Sequence, residues 1–379
     1  GDGYVDALQT AWPEVPQATD FVLRWWHHAA DLVANGKLNR FGFIASNSIR
    51  QTYNRRAIEP FLADSKKPIS LVFVIPDHPW VDSTDGASVR ISMTVGQAKN
   101  ATGELRTIIR EQKVSESPDT GRELDFRSRT GKIFSNLAIG ADLALSSKLE
   151  CNSGLCAVGF KTIGSGFQVN EKLAQKLGLA SNPTVNKHIR PYLNGRDLAN
   201  TRRGMYVLDL FELNEDDVRR DFPVIYQHLL DTVKPERERN RNKIFREKWW
   251  VIGHPRPIFR EFTRDISRYI ATIETPKHRF FVFLPKIDAP DSTLVTFGLS
   301  DAYSLGTLSS RLHFTWATAN GGSLGVYIGD IRYNKTRCFE TFPFPEPDEA
   351  TAERIGDLAE QLDTHRKRQQ EQHPGLTMT

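Results

Sequence analysis

The 379-residue sequence is poor in cysteine, with only Cys151, Cys156 and Cys338. Three thiols exclude a disulfide framework as the main stabilising device and make a reducing cytoplasm the expected setting. Neither Cys151 nor Cys156 has His or Cys companions at zinc spacing, so both read as ordinary core or loop thiols. Long apolar runs are missing too. The longest are of strand length, short of the roughly 20 residues that span a bilayer, and mean hydropathy is -0.44. The opening GDGYVDALQTAW shows no basic stretch followed by an apolar one, so no secretory signal is expected. Those residues read as a loop entering a helix of a domain already under way, and the chain is expected to be a fragment.

Self-sufficient catalytic motifs are also lacking. There is no G-x-G-x-x-G, Walker A loop, H-E-x-x-H or G-x-S-x-G in the chain. Pro118-Asp119 with Glu123 lacks the lysine that would complete a nuclease cluster. His78 with Asp82 and Asp85 offers too few ligands for a metal and fits a hydrogen-bonded loop better. No residue of this chain is therefore assigned a catalytic or metal-binding role.

What is present is an uneven charge. Lys234–Arg260 holds nine Lys/Arg against three Glu, although the whole chain carries only +4. Such asymmetry points to a polyanionic partner. In KPERERNRNKIFREKWW, read as one helix, Arg237, Arg241 and Lys248 share a face that suits a phosphate backbone. A solvated charged helix is the plain alternative. Trp249, Trp250 and Arg256 add aromatics beside cations, which stack on bases or serve equally as core anchors. Further on, a glycine-rich loop from Asn320 leads to Arg332, Lys335 and Arg337, placed to reach phosphates or base edges, or to form an ordinary surface hairpin.

The expected fold class is α/β. A helix starting at Thr19 or Asp20 and stopping at Asn35-Gly36, a strand over 41–45, a helix from Ser46 or Asn47 to about Leu62, and strands Ile69–Ile75 and Ser88–Gly96 follow the rhythm of a parallel sheet. The last two strands, joined without a helix, are expected to form an edge hairpin. The boundaries expected are 1–115 for this first domain, 116–150 for a polar connection, 151–345 for an irregular α+β domain with helices Asp216–Thr232 and Ala302–Ala319, and 346–379 for a helix over Asp348–Gln372 with its tail.

Five segments together resemble the C-terminal part of the MmeI-like adenine-specific DNA methyltransferases, which are single-chain restriction–modification enzymes: ATDFVLRWWHHAADLV, RFGFIASNSIRQTYNRR, IPDHPWVDSTDGASVRISMTV, SSRLHFTWATANGG and RYNKTRCFETFPFP. They run in the family's order over about residues 18–345. The resemblance implies part of a Rossmann-like methyltransferase sheet, then a target-recognition domain that binds double-stranded DNA. The family methylates adenine N6 from S-adenosylmethionine through an (N/D)-P-P-(F/Y) motif. Neither that motif nor the glycine-rich cofactor motif occurs here, so cofactor binding and methyl transfer are expected to need the N-terminal remainder of the same polypeptide. The resemblance also implies a role for Trp80: the aromatic before a late strand of such sheets stacks on the flipped adenine. The alternatives are a lid over the sheet edge for Trp80 and, for the chain, a non-catalytic DNA-binding specificity protein.

Overall fold

The computed structural model describes residues 2–80, 89–113, 122–141, 146–323, 331–373 and 375–378. The chain divides into two compact units, Gly1–Ser146 with Gly322–Ile328 and Ser147–Gly321 with Gly329–Thr379. No helix among the described residues is long and apolar enough to cross a membrane.

The first unit runs α1 (Asp2–Ala11), α2 (Phe21–Ala34), β1 (Arg40–Ser46), α3 (Thr52–Arg55), α4 (Glu59–Ala63), β2 (Ile69–Pro79), β3 (Arg90–Ala98), β4 (Gly103–Lys113) and β5 (Arg122–Gly131). Helix α2 buries Leu23, Trp26, Ala30 and Val33 along one stripe. The Trp26 indole donates to Thr94 Oγ1 (3.1 Å) and meets the edge of Phe41 at 5.0 Å. A Cβ at Gly96 would come within 2.4 Å of the Phe41 ring, so glycine there lets the ring lie flat across β3. Asp20 holds the N-cap position, but its carboxylate takes the Ser48 hydroxyl instead of capping the helix. Between Ser46 and Leu62 the expected helix is broken into a short 3-10 turn (Asn47–Arg50), α3 and α4.

The sheet order is β1-β3-β2-β4-β5. This corrects the parallel sheet expected from the helix–strand rhythm, and no Rossmann-like sheet is shown. Strand β3 pairs antiparallel with both β1 and β2, β5 pairs antiparallel with β4, and only β2 and β4 pair in parallel. The β2–β3 hairpin forms as expected but is not at the edge, because β3 inserts between β1 and β2. The polar stretch expected to start a connection is instead the long β4–β5 ladder, so residues 122–131 belong to this sheet.

The second unit contains β6 (Cys156–Val158), β7 (Gln168–Asn170), α5 (Glu171–Lys176), α6 (Pro183–Asn186), β8 (Ile189–Leu193), α7 (Gly195–Ala199), β9 (Met205–Leu208), α8 (Glu215–Asp221), α9 (Pro223–Thr232), α10 (Lys234–Glu238), α11 (Lys243–Glu247), α12 (Pro257–Phe262), β10 (Arg268–Ile273), β11 (Val282–Pro285), β12 (Ala289–Pro290), β13 (Leu294–Phe297), α13 (Ala302–Ser309), α14 (Arg311–Asn320) and, after a one-turn π-helix at Lys335–Phe339, α15 (Glu349–Gln372). Two four-stranded sheets, β11-β10-β13-β6 and β12-β8-β9-β7, carry its core.

Two expected helices split at identifiable breakers. Pro223, which has no N–H to give, starts α9 after α8 ends. Ser310 separates α13 from α14, its Oγ accepting from His313 N (3.2 Å) as an N-cap. The final helix matches its expected span almost to the residue. It crosses α13 closely at Gly306, where a Cβ would meet Ile355 Cγ2 at 2.6 Å. It also covers the free edge of β11, since Asp363 Oδ1 accepts from Phe283 N (3.2 Å) and Arg366 Nη1 donates to the Phe281 carbonyl (3.3 Å).

Candidate nucleic-acid interface

The basic segment does not form one helix. Asn240 Oδ1 accepts from Asn242 N (2.9 Å), and Asn242 Oδ1 from Ile244 N (3.0 Å), so the Asn-Arg-Asn stretch makes a turn and caps α11. Helices α10 and α11 therefore have independent faces, and the shared face expected for Arg237, Arg241 and Lys248 does not exist.

Arg237 is 1% exposed. Its Nη2 donates to the carbonyls of Thr162 and Val251 (both 3.0 Å), and the guanidinium lies over Phe245 at 4.8 Å and Phe167 at 5.3 Å. Burial lowers its pKa to about 10, against a weaker upward pull from Glu236. It is a core residue, which corrects its expected DNA contact. Trp249 is corrected likewise: it is buried against Tyr226 (5.5 Å), its Nε1 donating to Glu215 Oε1 (3.3 Å). Arg256 is half-buried, its Nε donating to the Gly159 carbonyl (2.9 Å), with a left-handed φ of 52°. Arg241 and Lys248 are exposed, beside exposed Arg239 and Lys243.

Behind this surface lies an ion cluster the sequence did not reveal. Asp209 is buried between Arg260 (2.6 Å) and Arg190 (3.1 Å). Burial by itself would raise the Asp209 pKa, but the two guanidiniums outweigh it and hold the carboxyl below its usual range. Arg190 also donates to the carbonyls of Lys286 (2.9 Å) and Ile287 (3.1 Å), so the cluster ties β8, β9, α12 and the turn before β12 together.

The second basic stretch is surface-facing. Arg332 is exposed and paired with Glu274 (2.8 Å). Lys335 and Arg337 are half-buried. Lys335 (3.2 Å) and Lys148 (2.8 Å) flank Glu340 and, against the upward effect of burial, keep its pKa low. The π-turn holding Lys335 and Arg337 packs on α14, where the Cys338 thiol reaches the Ala317 carbonyl (3.6 Å) and His313 meets Phe342 at 4.4 Å. Helix α14 itself leaves Arg311, Leu312, Phe314, Thr315 and Thr318 exposed. Sequence reading missed this face; its signal was Leu312 and Phe314 falling outside the apolar stripe of His313, Ala317 and Asn320.

In the first unit, Trp80 directly follows β2 and is half-exposed (46%), its backbone N–H donating to Val89 O (2.9 Å). A bulge at Pro76–Asp77 precedes it, with Ser92 Oγ donating to the Pro76 carbonyl (2.6 Å). Asp77 Oδ1 accepts from Arg90 Nε (2.7 Å) and Asn47 Nδ2 (3.1 Å), and Arg90 Nη1 continues to Glu111 Oε2 (3.1 Å). Strands β2, β3 and β4 and the turn after β1 are thus joined three residues before Trp80. His78 Nδ1 lies 2.6 Å from the Pro79 carbonyl and its ring stacks near Phe126 (6.4 Å). Its expected companions Asp82 and Asp85, like Pro118 and Asp119, lie outside the described residues. No group of metal-ligating side chains forms among the described ones.

A cleft of about 530 Å³ runs between α7, β11 and α15. Its basic side chains are engaged already: Arg202 with Asp288 (3.0 Å), Lys367 with Asp363 (2.6 Å) and Arg366 with Phe281. Leu376 lines it, and Met378 N donates to the Ala199 carbonyl (2.8 Å), so the tail packs back here.

Residues 158–346 match the family model described as "MmeI, target recognition domain". A curated relative, DNA methyltransferase A of Bacillus subtilis (strain 168), is 23% identical over 346 residues, covering 86% of this chain and 35% of that protein. The solved structure of the type IIL restriction-modification enzyme MmeI in complex with DNA superposes with a TM-score of 0.70 at 18% identity. That likeness covers 97% of this chain and 48% of the other, and it extends to both units of the fold. The chain thus spans between a third and a half of the length of these relatives.

Proposed function

With residues 158–346 an MmeI-type target recognition domain, we propose that this chain recognises a DNA sequence within a restriction–modification system, as part of a cytoplasmic adenine-N6 DNA methyltransferase whose remaining domains lie N-terminal to it. The match of the second unit to a target recognition family carries the reading. The relative described as a DNA methyltransferase supports the enzyme class.

In this reading double-stranded DNA meets the second unit through Arg241, Lys248 and Arg256 and through Arg332, Lys335 and Arg337. Cations that meet phosphates release condensed counterions from the duplex and make binding strongly salt-dependent. Trp80 would stack on the target adenine once it leaves the duplex. Its half-exposed ring just after β2, following a strand end fixed by the Asp77–Arg90–Glu111 network, supports that role.

S-adenosylmethionine would supply the methyl group in the complete enzyme. Neither the glycine-rich motif nor (N/D)-P-P-(F/Y) occurs in this sequence, so no cofactor contact is assigned to its side chains. No catalytic step is therefore assigned to these side chains, and this chain by itself is expected to bind DNA without methylating it.

Two measurements test the reading. The chain should shift a 30-base-pair duplex at low salt, with affinity falling steeply as salt rises, and an N-terminally longer version should transfer radiolabelled methyl from S-adenosylmethionine to adenine N6. No duplex binding at low salt defeats the DNA-recognition role. Binding without methyl transfer by any longer version favours the non-catalytic specificity protein instead.

A further inference from the structure

Helix α14 has ten residues, a length of about 15 Å. Its inner side is settled: His313, Ala317 and Asn320 are buried, and His313 Nε2 lies 2.9 Å from the Tyr333 hydroxyl. Its outer side is unusual for a solvated helix. Leu312 and Phe314 are 64% and 47% exposed, and the residues between them around the helix are not the lysines and glutamates of an ordinary surface. At 3.6 residues per turn, Arg311, Thr315 and Thr318 fall within about 60° of one line, with Leu312 and Phe314 at the two margins. The face has a polar centre and apolar rims.

The chemistry of that centre is specific. Thr315 Oγ1 donates to the Arg311 carbonyl and Thr318 Oγ1 to the Phe314 carbonyl, both at 2.8 Å. Each hydroxyl proton is thereby used inside the helix, so towards solvent each threonine offers an acceptor oxygen and a methyl group. Arg311 adds a fork of donors. Cations lie on the element behind this face: the turn bearing Lys335 and Arg337 packs on the inner side of the helix at Ala317, and Lys335 and Lys148 together outnumber Glu340.

We propose that α14 is a groove-reading helix of the target recognition domain, with Arg311, Thr315 and Thr318 as specificity-determining residues. This deepens the DNA-recognition reading and rests on it. The major groove, about 12 Å wide, admits an α-helix and displays base-pair edges in distinguishable patterns. Arg311 fits guanine O6 and N7 as a bidentate donor. The threonine oxygens accept from the exocyclic amine of adenine or cytosine, and their methyls pack on thymine. Leu312 and Phe314 line the groove walls and exclude water from the contacts, while Lys335 and Arg337 hold the adjoining phosphates.

The test uses the full chain and a random-sequence duplex pool, because its recognition site is set by the contacts in question. Selection with the parent protein defines the preferred sequence, and selection is repeated with Arg311→Ala, Thr315→Val and Lys335→Gln. Arg311 and Thr315 are exposed and Lys335 is half-buried, and thermal melts check that folding is unaltered. Arg311→Ala should erase the preference for guanine at one position and weaken binding to the parent site about tenfold, with little change on unrelated duplex. Thr315→Val should relax a different position. Lys335→Gln should weaken all duplexes alike and lower the salt slope by about one. If Arg311→Ala and Thr315→Val select the parent sequence with parent affinity, the proposal is overturned and the exposed face is left for a protein contact. If the parent binds no duplex at all, the recognition reading falls and this proposal with it.

Discussion

Within the stretch from Lys234 to Lys248, two consecutive pieces that both carry arginine and lysine have opposite fates. In the first, Arg237 turns inward and spends its charge on two backbone carbonyls between two phenylalanine rings. In the second, Arg239, Arg241, Lys243 and Lys248 stand in water, with only a weak surface pair such as Lys243–Glu247 (3.3 Å) to hold them. Both lie in a strongly basic part of the chain, the first as Lys-Pro-Glu-Arg-Glu and the second with its cations spaced by Asn240 and Asn242. The difference teaches that positive charge in a target recognition domain is not all ligand-facing: some guanidiniums stitch short elements together where the core is built from small sheets and helices of a few residues.

The strongest way to break the comparison is to treat Arg237 as if it were exposed. Arg237→Ala should destabilise the second unit by about 4 kcal/mol, from the cavity and the loss of both carbonyl contacts, which leaves the Val251 carbonyl unpaired while that of Thr162 keeps Gly253 N. Arg237→Met refills the volume without the hydrogen bonds and should recover part of that loss. Urea denaturation followed by tryptophan fluorescence reads both. A stable Arg237→Ala protein with weakened DNA binding would put this guanidinium back on the surface.

The inward and outward arginines could not be told apart in the sequence for a physical reason. Reading KPERERNRNKIFREKWW by helical spacing assumes a continuous helix, and the Asn240–Asn242 side-chain turn interrupts it. The acceptors for Arg237 lie 75 and 14 residues away along the chain, so no local pattern announces them. Where local physics dominates, the reading was close: α2 follows its apolar spacing to the Asn35-Gly36 stop, and α15 starts after its Asp348 cap. Sheet order was the weak point, since pairing is non-local. Strand β3 entering between β1 and β2 left no trace in the helix–strand rhythm, and β4 and β5 were hidden because charged and polar residues dominate both strands and few apolar ones mark a buried face. Of the candidate site, Arg332 and Lys335 were legible as closely spaced cations after a glycine loop, whereas the α14 face was concealed inside what read as one continuous helix over Ala302–Ala319.

A second test stays inside the core and sharpens its electrostatics. Asp209 accepts from Arg190 and Arg260, and its folded pKa lies below its unfolded one. The unfolded chain therefore binds the proton first as pH falls, so the stability from this carboxylate is complete above about pH 4 and is lost as pH drops through the folded value. Asp209→Asn should cost about 3 kcal/mol at pH 7, since it leaves two buried guanidiniums without their anion. It should also flatten this part of the acid limb of stability against pH. Parallel acid limbs for the parent and Asp209→Asn would show that the two arginines do not depend on this carboxylate.

The smallest effect on stability is expected where the largest effect on binding lies. Arg241→Ala and Lys248→Ala remove exposed side chains, so each should change unfolding free energy by less than about 0.5 kcal/mol. If these side chains meet phosphates, each substitution should lower duplex affinity on all sequences alike and reduce the slope of log affinity against log salt by about one. The pair of measurements separates the two halves of the segment cleanly: Arg237→Ala moves the melt, and Arg241→Ala moves the salt slope. An Arg241→Ala, Lys248→Ala double variant with an unchanged salt slope would remove the outer half from the interface and leave the turn at Arg332–Arg337 to carry the phosphate contacts.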